Sequence, residues 1–195
     1  YGAVVGIENN PKPIRVARQR GYDVWEGRAE NMPFADGSFG LVAALDVIEH
    51  CEDDMAILGE CHRVCAPGGY IVITTPAFQW LWSRNDEINH HCRRYSGREL
   101  WEKLRRVGFD VCRLAYNNTF VFPLAAALIL SRRKRGNEPK LAAPDTDEEA
   151  YQVEMEPASL PVNAALTAVG WVEAALLRFV DLPVGTSIIC IARRD

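Results

Sequence analysis

The chain has 195 residues, 48% hydrophobic and 25% charged, with a formal net charge of -4. That size and composition suit one α/β domain with a single sizeable core. The acidic balance excludes the broad basic footprint by which proteins hold nucleic acid, so no nucleic-acid partner is expected.

Residues 2–7 (Gly-Ala-Val-Val-Gly-Ile) form a short apolar run of the kind buried on both faces of a parallel sheet. Residues 11–20 read as a helix, with Pro11 near its start and Gly21 just past its end. A short strand is expected over 22–26, a turn-rich stretch over 32–39 and a strong strand over 40–45. Residues 53–65 read as a helix ended by Pro67-Gly68-Gly69, where the glycines permit a tight turn into a strand over 70–75. Ser96-x-x-Glu99 is a capping box for a helix over 98–107, closed by Gly108 and followed by a strand over 109–116. Alternating strands and helices predict a Rossmann-like, doubly wound and mostly parallel sheet.

The pattern changes after Tyr116. Residues 120–130 are apolar and are followed by Arg132-Arg133-Lys134-Arg135. Residues 136–157 are polar and acidic and read as a flexible loop, 162–180 as a mostly apolar helix and 186–192 as a last strand. The core is therefore assigned to 1–116 and 183–195, and 117–182 to a helical insertion before the last strand. Neither apolar segment suits a membrane span: the first is short, and the second carries Glu173 and Arg178. They read as a lid on the core or, with the basic flank, as a peripheral membrane contact through 120–135. No obligate protein partner is evident.

Cys51, Cys61, Cys65, Cys92, Cys112 and Cys190 are scattered, and read as reduced thiols in a cytoplasmic protein with peripheral membrane contact as the alternative. Cys61-His62-x-x-Cys65 with His91 and Cys92 matches no common finger spacing, so no metal ion is expected.

Three stretches carry more specific information. They are Gly27 to Phe39, Leu45-Asp46-Val47-Ile48-Glu49-His50 with its acidic continuation, and Glu60-x-x-Arg63 through Gly69. In this order and spacing they resemble the class I S-adenosylmethionine-dependent methyltransferases of the group that modifies quinones, small molecules and sugars. The resemblance covers roughly 2–116 and the last strand.

The resemblance implies S-adenosyl-L-methionine as cofactor and a small-molecule, sugar or lipid-linked acceptor. It places Glu8, with Asn9 beside it, at the cofactor ribose. Arg28 and Ala29 fall beside the adenine; the family usually has Asp where Arg28 stands, and a guanidinium accepts no hydrogen bond. Asp46 and Val47 fall beside the methionine part and the reactive methyl.

The segment from Pro76 to Ser96 follows a strand end and mixes aromatics, histidines and arginines, which suits an acceptor pocket. Trp80, Arg93, Arg94 and Tyr95 are its expected substrate-binding residues; for the arginines, ion pairs with Asp86 and Glu87 are the alternative. His91-x-Arg93-Arg94-Tyr95 resembles a pattern in bacterial methyltransferases associated with envelope sugars and lipids. His50 and His91 are the candidate general bases.

None of the chain's glycines forms the Gly-x-Gly-x-Gly turn of the family, and the sequence opens at Tyr1 directly on a strand-like run. The expectation is a chain that begins after that turn, lacks the family's first strand and holds the cofactor weakly. A central gap would then separate the strands near 2–7 and 40–45. The alternative is a non-catalytic binding or scaffold protein with a degenerate methyltransferase fold.

Overall fold

The computed structural model describes residues 2–135 and 159–195. The expected loop over 136–157 lies outside the described residues. β1 (Gly6–Glu8) leads to α1 (Pro11–Gln19) and β2 (Val24–Glu26), which pairs parallel with β1. β3 (Phe39–Leu45), α2 (Asp54–Val64) and β4 (Cys65–Pro76) follow, then α3 (Arg84–Ile88), α4 (Gly97–Val107) and β5 (Phe109–Asn117). α5 (Phe122–Arg135), α6 (Leu160–Leu176) and β6 (Ser187–Arg194) complete the chain.

The expected α/β alternation is present, but the described strands form two sheets. One is β1-β2 and the other β3-β4-β6-β5. β1 and β3 share no ladder, and an apolar cavity of about 280 Å³ lies between them, lined by Ile7, Phe39, Val42 and Ala44 among others. The larger sheet is mixed rather than mostly parallel: β3 and β4 are parallel, and β6 is antiparallel to both neighbours. The reason is local. The Tyr116 N–H donates to the Leu182 carbonyl, so the chain returns beside the end of β5 and β6 runs back along it, starting at Asn117↔Ser187.

Helix boundaries follow their caps. The Asn10 side chain accepts from the Lys12 N–H with Pro11 at the first helical position, and Asp53 accepts from Ala56. Ser96 accepts from Glu99, and Gly108 closes α4 in the left-handed conformation at φ 105°. Pro67-Gly68-Gly69 is a bulge inside β4, not a turn before it: Phe39 pairs with Cys65 but Leu41 pairs with Tyr70. A Cβ on Gly69 would stand 2.8 Å from the Ala66 carbonyl oxygen, so the bulge has no room for a side chain.

The core lies between the larger sheet and the α2–α4 pair. Ile57, Leu58, Leu100, Leu104, Ile71 and Ile188 are fully buried there. Each contributes about 1.5–3 kcal/mol by leaving water. Cys61, Cys65 and Cys190 belong to the same core, and burial pushes the Cys61 and Cys190 thiols up to about 12.

Two polar hubs fix what the apolar core leaves undetermined. Arg63 on α2 donates to the carbonyls of Phe34 and Met32 and to Asp36 and Glu60, while Glu60 accepts from the Met32 N–H. This clamps the turn-rich stretch 32–39 onto α2. At the other end of α2, buried Asp54 accepts from the Tyr95 hydroxyl at 2.7 Å, from Lys103 at 2.9 Å and from Arg93 at 3.2 Å. Burial alone would raise the Asp54 pKa; the Tyr95 and Lys103 hydrogen bonds and the nearby cations outweigh it and hold the carboxyl below its ordinary value.

The insertion helices are docked by polar contacts. Glu173 on α6 is 6% exposed and accepts from the backbone N–H groups of Asn118 and Phe120. Arg113 on β5 donates to Asp181 and to the Leu177 carbonyl. Much of the remaining surface of α5 and α6 is apolar and exposed, as at Leu124, Leu128, Leu160 and Trp171.

Tyr95→Phe is expected to lower unfolding free energy by about 1–3 kcal/mol, because it removes a buried hydrogen bond to a charged carboxylate. Asp54 titrates lower folded than unfolded, so its contribution is complete above about pH 4 and is lost as pH falls through the folded value. Urea unfolding of wild type and Asp54→Asn at pH 7 and pH 3 checks this: the stability difference between them should shrink at the lower pH.

Candidate functional site

Open α/β sheets present their ligands at the carboxyl ends of their strands. Two such ends meet here. Glu8 ends β1 and Asp46 follows β3, and both line a cavity of about 380 Å³. Asn9, Ala29, Glu30, Val47 and His50 line it too.

Local structure aims the acidic groups. One oxygen of Glu8 accepts from the backbone N–H groups of Asn9 and Asn10, both at 2.8 Å, which pins the carboxylate at the turn into α1. Its other oxygen takes no hydrogen bond from the described residues and is left for a ligand. Asp46 has a left-handed backbone at φ 52°, and its N–H is held by the carbonyl and the hydroxyl of Thr74, at 3.0 and 3.1 Å. A non-glycine residue in this conformation is uncommon, and aspartate tolerates it better than most.

The segment after β4, expected to form a substrate pocket, folds differently from the sequence expectation. It is built around buried Asp86, 1% exposed. Arg94 donates two hydrogen bonds to Asp86, at 2.7 and 3.0 Å, and His91 Nδ1 lies 2.9 Å from the same carboxylate. The Ser83 N–H donates at 2.7 Å and closes a capping box on α3, which the sequence reading did not anticipate. Burial alone would raise the Asp86 pKa; Arg94, His91 and the Ser83 N–H together hold it low.

Three expected substrate-binding residues are therefore corrected. Tyr95 is fully buried and donates to Asp54, so it cannot face a substrate. Arg94 is committed to Asp86, as the ion-pair alternative had it. Arg93 is committed to Asp54 and the Glu52 carbonyl. Trp80 alone stays accessible, 46% exposed, in an aromatic cluster with Phe78, Tyr116 and Phe122. On the cofactor side, Arg28 is paired with Glu30 in the solvent and does not line the cavity, whereas Ala29 does.

His50 and His91 stand edge to face, ring centroids 4.6 Å apart. Burial first, and then the neighbouring His91, lowers the His50 pKa, so His50 is neutral near pH 7. Beside the pair lies Glu49, fully buried, with one oxygen accepting from Thr75 at 3.2 Å and the other, Oε1, without a partner among the described residues. Burial pushes its carboxyl up to about 7. The sequence reading quoted Glu49 without giving it a role. Its signal was a carboxylate directly before a histidine just beyond a strand end.

The comparisons with known proteins agree with this geometry. A family described as a methyltransferase domain matches residues 1–73. A "Probable S-adenosylmethionine-dependent methyltransferase" of Mycolicibacterium smegmatis is 31% identical over 112 residues, 55% of this chain and 44% of that protein. Demethylmenaquinone methyltransferase of Chlorobaculum parvum is 39% identical over 75 residues, 37% of this chain and 31% of that protein. The chain thus spans less than half the length of these relatives.

Among solved structures, an S-adenosylmethionine-dependent methyltransferase from Archaeoglobus fulgidus matches 97% of this chain and 75% of its own, with TM-score 0.56 and 18% identity. Phosphoethanolamine N-methyltransferase 2 of Haemonchus contortus, solved with S-adenosyl-L-methionine, matches 98% of this chain and 43% of its own, with TM-score 0.58 and 16% identity. Those two likenesses establish the fold. The methyltransferase-domain match over residues 1–73 spans Glu8, Ala29 and Asp46, so over that stretch the chain is similar to the S-adenosylmethionine-dependent methyltransferases.

Proposed function

We propose that the chain takes part in methyl transfer from S-adenosyl-L-methionine to a small-molecule, sugar or lipid-linked acceptor. The observation that carries this reading is the convergence of Glu8, Ala29 and Asp46 on one cavity at two strand ends. The donor set fits the cofactor. The free oxygen of Glu8 suits a ribose diol, Ala29 and Val47 supply apolar wall for a ring, and the Asp46 carboxylate favours a cationic sulfonium and ammonium.

When bound, the cofactor supplies an already activated methyl group, so the protein's task is placement. Glu8 and Asp46 hold the donor, with Asn9 beside the ribose carboxylate. Trp80 and its aromatic neighbours offer a flat apolar surface for the acceptor. His50 and His91 act on the acceptor's proton, either as bases or, as the buried Glu49 beside them favours, through a cation that they hold. That curated relatives include quinone-type methyltransferases supports a ring-bearing acceptor.

We propose in addition that 120–135 contacts an anionic lipid surface. Exposed Leu124, Leu128 and Leu130 adjoin the basic run Arg132-Arg133-Lys134-Arg135. No described helix is long and apolar enough to cross a membrane.

Calorimetry with S-adenosylhomocysteine tests the cofactor assignment. Glu8→Gln should weaken binding roughly ten- to a hundredfold, the value of hydrogen bonds to a charged group. Equal affinity in wild type and variant would sink the assignment, and no binding by the wild type would favour the non-catalytic reading. Cosedimentation with phosphatidylglycerol vesicles tests the lipid contact. It should fall as salt rises and disappear when Arg132, Arg133, Lys134 and Arg135 are changed to Glu. Persistence of binding in that variant would remove the basic run from the account.

A further inference from the structure

We infer that Glu49, His50 and His91 form a binding site for one divalent transition-metal ion at the edge of the cofactor cavity. One ligand atom from each of the three lies within 4.8 Å of the others. Donors about 2.0–2.2 Å from a shared ion stand at most about 4.4 Å apart, so a small side-chain adjustment closes the set. His50 is exposed, which leaves room around its ring for that adjustment.

The buried carboxylate is the independent observation. Glu49 is 0% exposed, and its Oε1 has no hydrogen-bond partner among the described residues. A buried acceptor left unpaired costs about 1–3 kcal/mol, and more for a charged group, so such groups are rare in native proteins. A cation bound by that carboxylate removes the cost.

The surroundings are those of a supported ligand set. His91 uses Nδ1 for Asp86, which fixes its tautomer and leaves Nε2 as the ligand nitrogen. Asp86 is in turn locked by Arg94 and the Ser83 N–H, so the imidazole is oriented by a rigid frame. Thr75 does the same for Glu49 through the oxygen that the ion does not need. Two imidazoles and one carboxylate select zinc, manganese, iron, cobalt or nickel over calcium or magnesium. Three protein ligands leave open positions, and His50 lines the cavity, so those positions face the space where a bound molecule would sit. The sequence reading expected no metal because it weighed the cysteine spacing, and these ligands include no cysteine.

Ion binding does not depend on methyl transfer, and the test separates the two. The full chain, stripped with chelator, is titrated with cobalt(II) and followed by visible absorption. The expected result is one equivalent bound, with ligand-field bands and no thiolate charge-transfer band. His50→Ala, which changes an exposed side chain, should weaken binding at least about tenfold with an unchanged far-ultraviolet circular dichroism spectrum. Glu49→Gln, which keeps the shape of the buried group, should weaken it similarly. No cobalt uptake at millimolar concentration, uptake indifferent to His50→Ala, or a thiolate band would each overturn the inference.

Discussion

The carboxylate of Asp86 is the group on which the segment between β4 and α4 depends. It sits in a segment that local propensity leaves irregular, and it binds His91, Arg94 and the Ser83 backbone at once. Removing one partner of such a buried charge costs about 3–5 kcal/mol, because the remaining charge is stranded. The segment after β4 is therefore a framework and not a loose loop. It is closed at its far end by the Ala77↔Tyr95 bridge and by the Tyr95 hydroxyl on Asp54. The orientation of His91 follows from this framework.

The elements were largely legible in the sequence because their signals are local. Pro11 and Gly21 bracket α1, Ser96 and Gly108 bracket α4, and the β-branched runs mark β3 and β4. The mixed sheet was not legible. The direction of β6 is set by where the insertion re-enters, beside Tyr116, and no periodicity records that contact. The bulge at Gly68 and Gly69 was read as a turn for a similar reason: glycines signal unusual backbone without saying whether pairing resumes on the same strand.

The site shows the same division. The placement of Glu8 and Asp46 on one cavity was legible because a strand end fixes where a residue goes. Arg93, Arg94 and Tyr95 were misassigned because residue type alone does not tell a ligand-facing cation from one committed to a buried carboxylate. Their partners, Asp54 and Asp86, lie up to 41 residues away in sequence. The motif Glu60-x-x-Arg63 also changes meaning. It carries part of the resemblance in sequence, and in the structure it is a clamp that holds 32–39 against α2, leaving Ala29 and Met32 packed at a cavity wall.

The left-handed backbone at Asp46 limits what this position can become. At φ 52° a β-branched side chain collides with its own backbone, whereas Gly and Asn adopt the conformation with little strain. The position is thus filtered twice, by backbone shape and by charge. Any change to this cavity has few residue types to choose from at 46.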